Sequence, residues 1–226
     1  MTADGSAQSE TPTPDALHAL YEDAHLLALD KPAGLLSVPG RGPERADCLS
    51  ARAQQRWPDA LVVHRLDQAT SGLMLLARSL PTQRLLGAAF AERRIAKRYE
   101  ALVHGRLDLP AGTTDGWAEI DLPLIVDWPN RPRSKVDHDI GKPSLTRWQP
   151  LAYDATRNVT RLALAPVTGR SHQLRVHLQA IGHPIVGDTL YGPPDGAPRL
   201  MLHACEVRLA HPITGDALAL HSPAPF

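Results

Sequence analysis

Cysteine is nearly absent from this chain. Cys48 and Cys205, the two that occur, are far apart and lack metal-ligand spacing. Neither a disulfide framework nor a zinc finger fits, and reduced, buried thiols of a cytoplasmic protein are expected. Long apolar runs are missing too. None approaches the roughly 20 residues of a membrane-spanning helix, so no membrane contact is expected. Met1 to Pro14 has no basic start and no apolar core, so neither a secretory signal nor a transit peptide is expected. Net charge is also lacking, with 24 Lys and Arg against 24 Asp and Glu. The zero hides an asymmetry. Residues 1–23 carry five acids and no Lys or Arg, so residues 24–226 hold 24 bases against 19 acids. Part of that excess is concentrated in Arg84, Arg93, Arg94, Lys97, Arg98 and Arg106. Such clustering suits a polyanion partner, and equally a solvated helix face.

What is present is ample chain for a core: 226 residues, 43% of them hydrophobic, enough for one large domain. Residues 1–18 are small, polar and without periodicity and are expected to be a disordered tail, with one domain over 19–226. His25 to Asp30 reads as a strand, and Lys31-Pro32-Ala33-Gly34 as the loop that ends it. Asp47 is placed to cap a helix that Pro58 stops. Ser79 is placed to cap a second helix, with Pro81 in its first turn. Strands are expected at Tyr99–His104, Leu145–Leu151, Val159–Ala165, Leu200–His203 and Val207–Leu209. Residues 110–150 are otherwise loop-rich. Ser171 is placed to cap a helix running to Ile181, with Leu174, Leu178 and Ile181 as its core stripe and Arg175 at the stripe's border.

The chemistry centres on Leu61 to Ala77. Two short apolar runs flank His64-Arg65-Leu66-Asp67-Gln68-Ala69-Thr70-Ser71-Gly72, which puts a carboxylate at the edge of a core. Such a charge needs a cation partner. Asp, Thr, Ser and Gly are also ordinary turn residues, so this stretch alone decides nothing. Familiar alternatives fail one by one. His172, His177 and His183 lack one-face metal spacing, so no metal is expected. Ser71 lacks a Gly-x-Ser-x-Gly elbow, and Gly34, Gly40 and Gly42 do not make a phosphate loop. What remains is Asp67, the phenol of Tyr99 behind a basic run, and Arg175. A carboxylate with an arginine and a tyrosine suits nucleophilic or proton-transfer chemistry. Trp128, among Arg131, Arg133 and Lys135, suits contact with unstacked nucleic acid, or else closes a loop over the core.

His64 to Leu73 resembles the catalytic motif of the RluA family of RNA pseudouridine synthases. Lys97-Arg98-Tyr99 is similar to that family's Lys-x-Tyr motif. Thr168 to His177, followed by Gly182 to Asp188, resembles its third motif, and Leu202-His203-Ala204 its short apolar signature near the end. Asp30 to Gly34 is similar to its opening strand and loop. The motifs stand in family order and span residues 26–226. Asp127-Trp128-Pro129-Asn130-Arg131-Pro132 resembles the loop of the dual-specificity members that act on 23S rRNA and the tRNA anticodon loop. Ser134 stands where those members commonly have Gln.

The resemblance implies an α+β fold: a single pseudouridine-synthase-type domain on a long, mostly antiparallel mixed sheet with flanking helices. It implies uridine isomerisation in structured RNA, with 23S rRNA and tRNA as partners and no cofactor. Asp67 would be the essential carboxylate, attacking the sugar or abstracting a ribose proton. Tyr99 would stack on the target uracil, and Arg175 would partner Asp67. Arg65 would fill the space left by a flipped base. His64, Thr70, Arg131, Arg170, His172 and Leu202 would complete the substrate-binding surface.

Overall fold

In the computed structural model, which describes residues 17–113 and 115–226, the chain opens with β1 (Ala19–Glu22), β2 (Leu26–Lys31) and helix α1 (Leu49–Arg56). β3 (Leu61–Val62), β4 (Ser71–Ala77), α2 (Leu80–Ala91) and β5 (Ala96–His104) follow. Next come β6 (Ala118–Asp121), β7 (Leu124–Val126), β8 (Ser134–Val136), β9 (Leu145–Asp154) and β10 (Val159–Pro166). The chain ends with α3 (Gln173–Ala180), β11 (Leu202–Ala210) and β12 (Ala217–His221).

The main sheet has the order β1-β2-β4-β11-β5-β10-β9-β6, with β12 paired to β11 and β3 to β4. β4 and β11 run parallel, and the remaining described pairs are antiparallel. The expected mixed, mostly antiparallel sheet is therefore present. β7 and β8 form a separate hairpin in the region expected to be mostly loop.

β4 is central because both of its faces are apolar. Leu73, Leu75 and Ala77 pack with Leu86 and Ala89 of α2. Met74 and Leu76 pack with Leu49, Ala53 and Trp57 on the other face. Truncating a fully buried leucine such as Leu75 to alanine typically costs about 2–5 kcal/mol. A third cluster joins Leu174 and Leu178 of α3 to Ala101, Leu162, Leu164 and Trp148. Tyr99 packs against the clusters on both sides of it, at the seam between the α1 side and the α3 side.

Gly72 is required where it stands. Its φ is +109°, and a Cβ there would lie 2.4 Å from the backbone oxygen of Ala204, at the point where β4 and β11 meet. Only glycine tolerates both the dihedral and the approach.

Local details depart from the sequence expectations. Cys48, not Asp47, caps α1: its Sγ accepts the Ala51 N–H at 3.4 Å. Asp47 is drawn off into a two-point pair with Arg52. Ser79 caps α2 as expected, accepting the Thr82 N–H. Ser171 does not cap α3. His172 occupies the cap in the left-handed region at φ 55°, with no side-chain cap bond. The turn is closed instead by the Gln173 side chain, whose Oε1 accepts the Arg170 N–H and the Thr168 hydroxyl. The two expected C-terminal strands are one, with a register shift between Ala204 and Glu206. Most of the expected tail lies outside the described residues, but Leu17, assigned to it, is packed in the core. Among the described residues no helix is long and apolar enough to cross a membrane.

Candidate active site

Asp67 sits in an irregular stretch between β3 and β4, its side chain 30% exposed. It is thus less buried than a strand-end position predicts, but it is held from both sides. The preceding residue, Leu66, gives its N–H to Ser37 Oγ and takes the Ser37 hydroxyl on its carbonyl. The following residue, Gln68, has its carbonyl bonded by Gly34 N and by the Lys31 ammonium. Lys31 is fully buried and also donates to the carbonyls of Pro32 and Leu35. The Lys31–Gly34 loop is therefore a clamp under Asp67.

Arg175 lies on α3 at 4% exposure, fully inside rather than at the border. Asp188, the Tyr191 ring and Asp67 surround its guanidinium and cover it. Its Nη1 is 3.8 Å from Asp67 Oδ2. Its principal partner is Asp188, at 2.8 Å from Nε and 2.7 Å from Nη2. His172 Nε2 faces the other Asp67 oxygen at 4.0 Å. Tyr99 completes the group from β5. Burial, and then the Asp67 charge, push its phenol above the ordinary tyrosine range.

Asp67, Tyr99, Arg175 and His172 are thus brought together. Thr70 lies beside them, 2% exposed, its hydroxyl without a hydrogen-bond partner. Arg65, two residues before Asp67, is exposed. Arg170 is exposed next to α3. Trp128 is 66% exposed, with the Arg131 guanidinium 4.1 Å from its ring centre, so it projects outward rather than closing over the core.

Two expected substrate residues are placed differently. His64 points its Nε2 at the Leu75 N–H, 2.9 Å away, and its ring packs on Phe90. Burial, aided by Lys97, lowers its pKa to about 3, so it is a neutral acceptor bound to the sheet. Leu202 is 2% exposed within the core and presents no free side-chain surface.

Lys31, Ser37, Asp188 and Tyr191 were not singled out from sequence. A signal existed for Asp188. A carboxylate between Gly187 and Leu190 in an apolar segment calls for a cation, and Arg175 lies in the same motif. Lys97 was visible as one of a basic cluster and as the first residue of the Lys-x-Tyr motif, but without a role of its own. It shares the face of Tyr99, its Nζ beside Gly169, where an added Cβ would lie 3.8 Å away. Burial lowers its ammonium below the usual lysine range. Arg98 takes the opposite face and stacks on Trp117, 5.1 Å from its ring centre.

Known proteins resemble this chain over most of its length. The family model for RNA pseudouridylate synthase matches residues 25–180. The dual-specificity RNA pseudouridine synthase RluA of Escherichia coli strain K12 is 46% identical over 210 residues, covering 92% of this chain and 93% of that protein. The protein of the same name from Pasteurella multocida is 44% identical, covering 95% and 96%. Among solved structures, human RNA pseudouridylate synthase domain containing 1 superposes with a TM-score of 0.76 at 28% identity, covering 96% of this chain and 87% of that one. The chain belongs to the RNA pseudouridylate synthase family and is an isomerase of RNA uridines.

Proposed function

We propose that this enzyme converts specific uridines to pseudouridine in two structured RNAs, a 23S rRNA hairpin loop and the tRNA anticodon loop. The dual specificity of relatives that match over nearly their whole length supports this, as does the exposed Trp128 loop with Arg131 and Arg133. Both described cysteines are free thiols, which suits the reducing cytoplasm.

The observation that carries the chemistry is the Asp67 carboxylate, held 3.8 Å from Arg175 Nη1 beside Tyr99. An arginine is never deprotonated in this setting, so its fixed charge 3.8 Å away holds the Asp67 carboxylate aimed. Asp67 opens the reaction by attacking the sugar or by taking a ribose proton. The N1–C1′ bond breaks and the uracil turns. C5 bonds to C1′ as the Asp67 ester opens, or as the ribose proton is returned. C5 loses its proton while N1 gains one, leaving Asp67 free. Tyr99 stacks on the ring and assists the loss of the C5 proton. One bond is exchanged within one nucleotide, so neither metal nor cofactor is called for.

Reaching C1′ requires the uridine to leave its stack, and Arg65 fills the gap. Arg131 and Arg170 take backbone phosphates, while Thr70 and His172 line the space around Asp67. His64 and Leu202 act from behind, supporting β4 and β5. The test is tritium release from RNA carrying [5-³H]uracil, with wild type and Asp67→Asn compared. Release by the wild type and none by the variant, with RNA affinity retained, is expected. Equal release by both overturns the assignment.

A further inference from the structure

We propose that Tyr191 is a positioning residue for the reaction, fixing His172 against Asp67 and tying that contact to the Trp128 loop. The inference rests on the reading of Asp67 as the reacting carboxylate.

Tyr191 is 8% exposed and lies just past Asp188. Its backbone N–H and that of Leu190 both bond Asp188 Oδ1, so the ring is anchored to the carboxylate that grips Arg175. The ring itself lies 5.1 Å from the Arg175 guanidinium and 5.2 Å from that of Arg133. The His172 ring meets it edge-on, with centres 5.6 Å apart. Tyr191 thus touches two neighbours of Asp67 and one residue of the exposed loop.

Its hydroxyl orders the protons. Oη accepts the Ser134 N–H at 2.7 Å and stands 2.7 Å from His172 Nδ1. Nε2 of that histidine faces Asp67 at 4.0 Å, and a carboxylate can only accept. The imidazole proton therefore belongs on Nε2, which leaves Nδ1 bare and makes the Tyr191 hydroxyl its donor. Each group then gives one proton and takes one: Ser134 N–H to Tyr191, Tyr191 O–H to His172, His172 N–H toward Asp67. Burial lowers the His172 pKa against the pull of Asp67, which agrees with a neutral ring. Asp67, Arg175 and Asp188 are the charged groups that act on it. His172 holds a left-handed backbone, φ 55°, a conformation that persists only where the surroundings fix it.

Chain position makes the link useful. Ser134 directly follows Arg133, so seating Arg131 and Arg133 on RNA bears on the same hydroxyl that orients His172.

The experiment uses the full chain labelled with ¹⁵N-histidine, as wild type, Tyr191→Phe, His172→Ala and the double variant. ¹⁵N shifts assign the His172 tautomer in the free protein, and single-turnover tritium release gives the rate. Wild type should show His172 as the Nε2–H tautomer, and Tyr191→Phe should mix tautomers. The variant's rate should fall about threefold to tenfold, the effect of one lost hydrogen bond, with RNA affinity unchanged. The double variant should be no slower than His172→Ala, since Tyr191 acts through that ring. An unchanged tautomer overturns the proposal. So does an equal slowing by Tyr191→Phe with and without His172, even if the variant is less stable. If the wild type releases no tritium, the function reading fails, while the tautomer measurement still decides the relay.

Discussion

Asp188 grips Arg175 at two points, 2.8 and 2.7 Å, and so presents its third nitrogen to Asp67 at 3.8 Å. The fully buried carboxylate is the structural partner and the part-exposed one is free for chemistry. Arg175→Ala and Asp188→Asn should each cost about 3–5 kcal/mol, the usual penalty for breaking a buried pair. Asp67→Asn should cost under about 1 kcal/mol, as exposed pairs do. Urea unfolding of the three variants measures this. Equal losses for Arg175→Ala and Asp67→Asn would mean that Asp67 carries the structural pairing.

His64 predicts an acid-sensitive fold. Its folded pKa of about 3 lies below the unfolded value of about 6.5. Between those values the unfolded chain binds the extra proton, so stability falls as pH drops through that window. This residue contributes a slope of at most about 1.4 kcal/mol per pH unit. His64→Gln, which retains an acceptor for the Leu75 N–H, should flatten the loss. An unchanged slope would show that the ring protonates freely in the folded state.

Lys97 and Arg98 are neighbours in sequence with opposite fates, because a strand alternates its faces. Among the described residues Lys97 has no hydrogen bond or ion pair, and it shares the face of Tyr99. Lys97→Gln should weaken RNA binding and reduce the slope of log affinity against log salt by about one. Arg131→Gln and Arg133→Gln should act alike, each by about one. Arg98→Gln, over Trp117 on the other face, should leave the slope unchanged. If Arg98 and Lys97 variants weaken binding equally, RNA does not select the Tyr99 face.

Gly72→Ala should prevent stable folding, since the new Cβ would meet backbone 2.4 Å away at a φ of +109°. Soluble yield and thermal unfolding read this out. A variant with wild-type Tm would mean that the β4–β11 contact is looser than described.

Much of the site was legible because its chemistry is unusual for its surroundings. Asp67 among apolar runs called for a cation, and Arg175 does stand within charge contact of it. The depth of Arg175 escaped because a helix wheel ranks exposure on one element, whereas depth depends on what packs above, and its stronger partner, Asp188, lies beyond that helix. Local rules failed where two polar groups compete for one task. Asp47 looks the better cap than Cys48, but Arg52 claims it. β6, β7 and β8 were lost in a Pro- and Gly-rich stretch, where three- and four-residue strands are defined by their pairing partners and carry little periodicity of their own.

The strand β11, near the chain's end, lies between β4 and β5. Every candidate reacting group has been synthesised by residue 175, yet the sheet that aligns Asp67 with Tyr99 has a gap until residues 202–210 arrive. A nascent chain therefore carries two unsatisfied strand edges, and such edges recruit other chains. Cutting at residue 180, where the family match ends, would retain Asp67, Tyr99 and Arg175 but discard both Asp188 and the keystone strand. Activity should switch on late in synthesis, all at once.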